Sequence, residues 1–411
     1  MSKPVANTAV PVLVFFLISL RITSEAAPME ETEREALYSA IQGFVGSRWD
    51  GRNLYPDPCG WTPMQGVSCD VFEGLWYVTV VNIGPVLDNS LECSREAAFS
   101  PQLFELKRLR SLSFFRCFTS LNQTTTLSQE WRKLSGSLET LEFRSNDGLT
   151  GAIPVNLALL SNLQSLVLVE NSLTGELPQE LGNLVRLKRL SLAGNRLSGQ
   201  LPASLGDNLA ELLILDLSGN SLTGSLPSSI GGMSSLLKLD LSNNHLNGEL
   251  PWELGKLKNL TLLDLRNNSL SGATRSLGDM VSIRYMLLSD NPLGGSLMQL
   301  GLRNLRSLTT LDLSNTGLIG GIPEYITDLR RLRFIALDDN NLTGSVSKKF
   351  QELSGLAALY LNDNNLTGEL EFSDEFYGRM GSRFAAWNNP NLCCRFQYGR
   401  QVLPGVQRCK N

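Results

Sequence analysis

The chain has 411 residues, of which 42% are hydrophobic and 18% charged, a balance typical of a folded protein with a large core. Its net charge is −4 and it shows no basic stripe, which argues against a nucleic-acid-binding protein. The single histidine, His245, stands in a turn, and no GK[ST] phosphate loop occurs, so we expect no enzyme activity, no cofactor and no metal.

The N-terminus predicts secretion. Lys3 precedes an apolar run at 10–20, which is too short to cross a bilayer, and Ser24-Glu25-Ala26 offers a cleavage site. The expected signal peptide is therefore 1–26, with an uncleaved anchor as the alternative. Because no later segment has 18 uncharged apolar residues, we expect a mature chain without a transmembrane segment. Its expected location is secreted, or peripheral at the outer face of the plasma membrane.

Three features are predicted between the signal peptide and the regular part of the chain. Residues 33–44 have helical periodicity, with Leu37, Ile41 and Phe44 on one face, and residues 78–83 indicate a first strand. Residues 84–136 are irregular. Within them the polar run TSLNQTTTLSQEW at 119–131 is either a binding loop or a surface insertion without consequence.

The cysteines fall in two groups at the ends of the chain, which fits an oxidising compartment and disulfide-stapled ends. Cys93 is the expected partner of Cys117. Cys409 is expected to pair with either Cys393 or Cys394. The full set is Cys59, Cys69, Cys93, Cys117, Cys393, Cys394 and Cys409.

The phrase LxLxxNxL recurs through the centre of the chain at steps of 23–25 residues, with Thr316 in the place of Asn in one copy. In each copy two apolar residues point inward from a short strand, and the residue between them points outward. The Asn side chain is expected to be buried and to bond backbone groups of neighbouring turns, which forms an asparagine ladder. Its expected members are Asn146, Asn171, Asn195, Asn220, Asn244, Asn268, Asn291, Asn340 and Asn364.

These copies resemble leucine-rich repeats, and continuations such as LTGELP at 173–178 resemble the plant-specific class. The resemblance implies an α/β fold: a right-handed leucine-rich repeat solenoid with a parallel concave sheet, a second sheet on its flank, and disulfide-linked N- and C-terminal caps. The repeats at 272–275, 295–298 and 344–347 lack the proline, which weakens the expectation of a flank sheet in the C-terminal third.

The two ends resemble the caps of plant leucine-rich repeat receptors. Residues 30–69 carry Trp49 and the pair Cys59 and Cys69, for which the resemblance implies a disulfide, and NNPNLCC from Asn388 resembles the start of a C-terminal cap. The expected organisation is an N-terminal cap at 27–77, irregular first repeats with the insertion at 78–136, about ten repeats at 137–370 and a C-terminal cap at 371–411.

Several segments together resemble the Piriformospora indica-insensitive proteins of plants, among them PMEETEREALYSAIQGFVGSRW, YPDPCGWTPMQGVSCD, LEFRSNDGLTGAIP and KNLTLLDLRNN. The resemblance implies a leucine-rich repeat protein without a kinase that binds a protein or peptide. It also implies a role at the root surface in the response to a beneficial fungus. Because we expect neither a membrane span nor a kinase, we expect the chain to act through a membrane partner, such as a receptor kinase. The alternative is an inhibitor of a microbial wall-degrading enzyme, similar to the polygalacturonase-inhibiting proteins. In that family the N-terminal cap has adjacent cysteines, whereas Cys59 stands alone.

The candidate binding face consists of the outward residues of the strands. Asp216, Asp240, Asp264 and Asp312 form an acidic strip there, which we interpret as the common form of the repeat rather than as a calcium or basic-ligand site. Departures from the common form are better candidates, because aromatic and Arg residues are enriched at interface hot spots. These departures are Glu142, Arg144, Val167 and Val169 near one end, Arg266 at the centre, and Tyr285, Leu287, Phe334 and Tyr360 towards the other end.

Five N-x-[ST] sequons predict N-glycans at Asn122, Asn259, Asn267, Asn341 and Asn365. A glycan on Asn267 would crowd the middle of the arc. We therefore expect a partner to dock at one end of the concave face, with the aromatic end favoured.

Overall fold

The computed structural model of the protein describes residues 28–85, 90–272, 275–395 and 405–409, so the expected signal peptide lies outside the described residues. The described chain is a solenoid whose turns each contribute a short strand to one large sheet, called here the concave sheet. Its strands pair in parallel, apart from the antiparallel hairpin at the N-terminal end. In sheet order they are Val67–Phe72, Leu75–Ile83, Ser111–Phe115, Thr140–Gly151, Ser165–Glu176, Arg189–Ser191, Ile214–Asp216, Lys238–Asp240, Leu262–Asp264, Tyr285–Leu287, Thr310–Asp312, Phe334–Ala336, Ala358–Tyr360 and Phe384–Ala385, with Thr125–Thr126 and Arg196–Ser198 paired at the side.

The core lies between the concave sheet and a row of short helices on the convex side. Leu215 and Leu217 of one turn and Leu239 and Leu241 of the next are all fully buried, because alternate strand residues point inward. Most turns then close with a 3₁₀ helix, in several turns directly after the proline of the repeat. The 3₁₀ helices are Pro101–Glu105, Glu130–Leu134, Val155–Leu159, Gln179–Asn183, Ser228–Gly232, Trp252–Lys256, Arg275–Asp279, Leu302–Asn304, Glu324–Asp328, Lys348–Glu352 and Gly381–Arg383, and an α-helix, Ala203–Asn208, takes this place in one turn.

The N-terminal end is closed by the α-helix Glu31–Val45, which contains the predicted segment 33–44, and by the short helix Gly51–Leu54. Leu37, Ile41 and Phe44 are fully buried, and the Phe44 ring packs edge-on against Phe114 of the concave sheet at 4.7 Å. The antiparallel hairpin of Val67–Phe72 and Leu75–Ile83 covers the first turn. A Cys59–Cys69 disulfide ties the preceding loop to this hairpin.

The C-terminal end is closed by the α-helix Asp374–Met380 and by a Cys393–Cys409 disulfide. The sequence left the partner of Cys409 open between two neighbours. The second of them, Cys394, is buried with its Sγ 3.7 Å from the hydroxyl of Tyr377.

The flank sheet is present in the C-terminal third but is interrupted at 295–298, one of the repeats without the proline, where Ser296 makes only an isolated bridge to Ile319. A group of five strands lies there, after a three-stranded group nearer the centre. A repeat without the proline can still pair through its backbone groups, as Asn341–Gly344 does with Asn365–Glu369. The strands are Thr223–Gly224, His245–Glu249 and Ser269–Ser271, and then Ile319–Gly321, Asn341–Gly344, Asn365–Glu369, Asn391–Cys394 and Gln407–Arg408.

Candidate functional site

The strand register arranges the outward side chains of the concave sheet in columns. In the turn that contains Phe334, the outward residues are Phe334, Ala336 and Asp338, which we call the first, second and third concave positions. The next residue, Asp339, has a positive φ of 53° and begins the turn out of the strand. Because each turn pairs with the next in this register, equivalent positions stack along the whole arc.

The ladder asparagines lie in the turn that follows each concave strand, two residues after the third concave position. Asn244 is typical: its Oδ1 accepts the N–H of Leu222 in the preceding turn at 3.0 Å, and its Nδ2 donates to the carbonyls of Leu217 and Leu241 at 3.0 and 3.1 Å. The Thr316 hydroxyl lies 2.7 Å from the carbonyl of Leu313 in its own turn and 3.1 Å from Oδ1 of Asn340 in the next, and among the described residues it reaches no group of the preceding turn. Asn340 accepts the N–H of Thr316 and of Leu318. These bonds use both the oxygen and the nitrogen of the Asn side chains to satisfy backbone groups, so we interpret the column as structural rather than as a ligand site.

The column continues one step beyond the predicted list. Asn389 accepts the N–H of Leu366 at 2.9 Å and donates to the carbonyl of Leu361 at 3.0 Å, in the same way as the other members. The signal was present in the sequence, since FAAWNNPNL follows the repeat phrase with Phe and Ala in the places of two leucines and with the last Leu one residue later. The same alignment places Trp387 at the third concave position. Trp387 was not predicted as a face residue from the sequence.

The acidic strip at the centre of the arc is partly neutralised, since two cations pair with three of its four carboxylates. The Lys238 ammonium lies 3.0 Å from Asp216 and 3.3 Å from Asp240. Arg266 contacts Asp264 at 2.6 Å, and this carboxylate raises the pKa of the guanidinium. Serine hydroxyls of the same turns also donate to these carboxylates, as Ser314 does to Asp312 at 2.8 Å. In the described ranges no group of three or more His, Cys, Asp or Glu side chains is arranged to hold a metal ion.

The predicted residues at the N-terminal end of the face do not form an exposed patch. Val167 is outward by register but 0% exposed, so its proposed role as a contact residue is corrected: it lies between Glu142 and Ser191 of the adjacent turns and is covered. Val169 is half-buried. Glu142 and Arg144 neutralise each other in a 3.1 Å ion pair.

Aromatic side chains do cluster at the C-terminal end of the face. Phe334 and Tyr360 are half-buried and pack edge to face, with ring centroids 5.7 Å apart and an interplanar angle of 63°. Trp387 is 41% exposed on the next turn. We call Phe334, Tyr360 and Trp387 the aromatic end. Beneath it the neighbouring outward residues Ala336 and Ala385 are buried, which is consistent with the larger rings covering them.

Tyr285 and Leu287 lie nearer the centre and separately from the aromatic end. Tyr285 is 45% exposed at the first concave position, and Leu287 is half-buried at the second, between Asp264 and Asp312. Leu237, 41% exposed at the margin of the same face, was not singled out from the sequence because a leucine there matches the composition of the repeat.

All five sequon asparagines are exposed. Asn267 has a positive φ of 54° in the turn out of the concave strand, and its Nδ2 donates to Asn243 of the preceding turn at 3.0 Å. It also borders a cavity of about 520 Å³ shared with Asp290 and Asn315. The others are Asn122, Asn259, Asn341 and Asn365.

The insertion at 119–131 is anchored rather than loose. Trp131 is 0% exposed within a cluster that includes Phe104 and Phe143, and Thr125–Thr126 pairs with the strand Thr140–Gly151. A Cys93–Cys117 disulfide lies beside it, and the N–H of Cys117 donates to Asn146. Leu121 and Asn122 at its tip are exposed.

This architecture defines a leucine-rich repeat solenoid of the plant type with capped ends. The leucine rich repeat family matches residues 186–246, and a second leucine-rich repeat family matches residues 162–184 and 307–329. No helix in the described part of the chain is long and apolar enough to span a membrane.

Among known proteins the chain is similar to Piriformospora indica-insensitive protein 2 of Arabidopsis thaliana, with 57% identity over 148 residues, which are 36% of this chain and 35% of that protein. It is also similar to Receptor like protein 29 of the same plant, with 35% identity over 148 residues, or 36% and 31% of the two chains. The aligned part is therefore about a third of the length of these relatives. Together with the disulfides, the similarity indicates an extracellular or cell-surface location.

Two solved structures illustrate the shared fold. The crystal structure of PEPR1–AtPEP1 superposes with a TM-score of 0.70 at 29% identity and covers 89% of this chain and 49% of that one. The plant peptide hormone receptor RGFR1, solved in complex with RGF2, gives a TM-score of 0.64 at 26% identity, with 82% and 61% covered.

Proposed function

We propose that the chain is an extracellular recognition protein that binds a protein or peptide at the aromatic end of its concave face and acts through a membrane partner, such as a receptor kinase, in root–fungus recognition. The observation that carries the binding site is the pair Phe334 and Tyr360, two rings on adjacent turns in a region where most repeats have small or polar outward residues. Partly exposed aromatic groups of this kind provide large contact area with little loss of side-chain entropy.

The contrast with the rest of the face supports this location. At the centre, Lys238 and Arg266 already pair with the strip carboxylates, and at the N-terminal end Glu142 pairs with Arg144. Satisfied polar groups of this kind gain little from a partner, because binding must first desolvate them. The sequons also favour an end, since a glycan on Asn267 would stand at the middle of the arc.

The test is capture of partners by proximity labelling at the root surface. Phe334→Ala combined with Tyr360→Ala is expected to lose the captured partners while the thermal unfolding midpoint shifts by only a few degrees, because both rings are partly exposed. Asp240→Ala at the centre is the matched control and is expected to capture normally. If only the Asp240 variant loses the partner, the acidic strip is the site and docking at the aromatic end is wrong.

The biological role rests on the name of the relative and needs its own test. Plants lacking the protein, complemented with the wild-type chain or with the Phe334/Tyr360 double variant, would be grown with the fungus Piriformospora indica. A growth response restored by the wild type alone supports the role. A fungal polygalacturonase inhibited by the purified chain would instead favour the inhibitor alternative.

A further inference from the structure

The carboxylates beside the aromatic end differ from those at the centre of the face. Asp338 occupies the third concave position, and Asp339 and Asp363 occupy the turn positions of two successive repeats. Among the described residues no Lys or Arg forms an ion pair with any of the three, whereas Asp216, Asp240 and Asp264 all have one. The C-terminal end of the face therefore has negative charge without internal compensation.

The surroundings favour the charged form of Asp363 but disfavour that of Asp338. The Asp363 carboxylate accepts from Asn362 at 2.7 Å and from Asn388 at 2.6 Å, which fixes its orientation and lowers its pKa. Burial, with a smaller contribution from Asp339, Asp312 and Asp363, raises the pKa of Asp338. A cation in this region would relieve the repulsion and partly replace the lost hydration.

The rings lie within reach of the same carboxylates. Tyr360 is in register with Ala336, and Asp338 follows two residues after that strand, so the Cα atoms of Tyr360 and Asp338 are about 8 Å apart. On the other side, the N–H of Asp363 donates to the carbonyl of Trp387 at 3.0 Å. An aromatic face next to a carboxylate is the arrangement that binds a cationic side chain, since the ring attracts the charge and covers the apolar stem.

We propose that the aromatic end binds a lysine or arginine side chain of a peptide segment in the partner, with the rings of Tyr360 and Trp387 against its stem and the carboxylates of Asp338 and Asp363 towards its charge. This inference rests on the proposed function and names the chemistry of its occupant. The charges on the face would also orient the bound peptide. Arg284 and Arg333 lie at the margin where the strands begin, whereas Asp338 and Asp363, which have no ion pair among the described residues, lie where the strands end.

The experiment uses a phage-displayed library of random dodecapeptides, panned on the purified full chain and on three variants. Wild type is expected to enrich peptides with Arg or Lys. Asp338→Asn with Asp363→Asn is expected to lose that preference and to weaken binding of the enriched peptides by about tenfold or more, because a desolvated cation–carboxylate contact is removed. Replacement of the basic residue by citrulline or norleucine in a synthetic copy should give a similar loss, and binding to wild type should fall as salt rises.

The outcomes separate the two proposals. Enrichment of peptides without a basic residue on wild type, abolished by Phe334→Ala with Tyr360→Ala, overturns the cation inference and leaves the docking site intact. Enrichment that survives the aromatic double variant, or no enrichment on any form of the chain, counts against both. Asp240→Ala is the control for a change of one carboxylate elsewhere on the face and should bind as wild type. All variants are first checked for an unchanged unfolding transition.

Discussion

Asn220 accepts a 3.1 Å hydrogen bond at its Oδ1 from the backbone N–H of Leu197, a residue of the preceding turn. Its Nδ2 donates to the carbonyls of Leu192 and Leu217, both at 3.0 Å. One amide thus satisfies buried backbone groups in two turns of the solenoid.

We expect Asn220→Ala to lower the free energy of unfolding by about 1–3 kcal/mol, because it leaves these buried groups without partners. Ser221→Ala, one residue on, is the control and should cost less than about 0.5 kcal/mol, since no side-chain bond of Ser221 is lost. Urea denaturation at equilibrium measures both. Equal losses in the two variants would show that the amide has no special role.

The asparagine ladder could be predicted from the sequence, because an Asn that recurs at a fixed step inside a solenoid is expected to bond backbone groups of neighbouring turns. The exposure of individual side chains on the concave face could not be predicted in this way. Val167 has outward parity, yet it is covered, and this depends on the side chains that the adjacent turns place beside it in register. Trp387 was missed because Phe384 and Ala386 replace the leucines by which the repeat is recognised. Pairing of Lys238 with two carboxylates also requires the cross-turn register, which the repeat phrase alone does not provide.

The insertion at 119–131 is expected to depend on Trp131. This side chain is fully buried, and its ring centroid lies 5.3 Å from that of Phe104 and 6.1 Å from that of Phe99. Trp131→Ala should therefore cost about 3–5 kcal/mol through lost apolar contact and the cavity that remains. Leu121→Ala in the same insertion, at an exposed position, should stay within about 0.5 kcal/mol. Chemical denaturation distinguishes them, and a small effect of Trp131→Ala would mean that the insertion is only loosely attached.

Glu33 predicts a pH dependence of stability. Its Oε1 accepts the N–H of Val78 at 3.2 Å, and burial raises its pKa from 4.5 to about 7. Between these pH values the unfolded chain releases the proton and the folded chain retains it, so the free energy of unfolding falls as pH rises through this window. Below pH 4.5 both forms are protonated and the full stability is present. The expected contribution is about 1–2 kcal/mol, since the open cavity beside Glu33 allows solvent to screen part of the effect.

Glu33→Gln keeps an oxygen acceptor for Val78 and removes the titration. The variant should lose less stability than wild type between pH 4.5 and 7 and should be the more stable of the two at pH 8. Glu31→Gln, exposed on the same helix, changes the net charge equally and should keep the wild-type profile. Thermal unfolding across this pH range is the measurement, and parallel profiles for Glu33→Gln and wild type would contradict the assignment.

A glycan placed on the concave face can map where the partner docks. Asp312→Asn creates the sequence N-L-S with Leu313 and Ser314, and residue 312 is in register with Ala336, beside Phe334 of the aromatic end. Asp216→Asn creates the same sequence with Leu217 and Ser218, several turns away. Occupancy of each new sequon is checked by a mass shift that a glycosidase removes.

We expect the glycan at position 312 to abolish capture of partners and the glycan at position 216 to leave it unchanged, because only the first projects over the aromatic end. Asp312→Gln is the matched control: it removes the same charge without creating a sequon, and it should capture the partner normally. Loss of capture in Asp312→Gln would assign the effect to the carboxylate rather than to the glycan. If the glycan at position 216 blocks capture and the one at position 312 does not, the partner docks on the other half of the arc and the aromatic end is not its site.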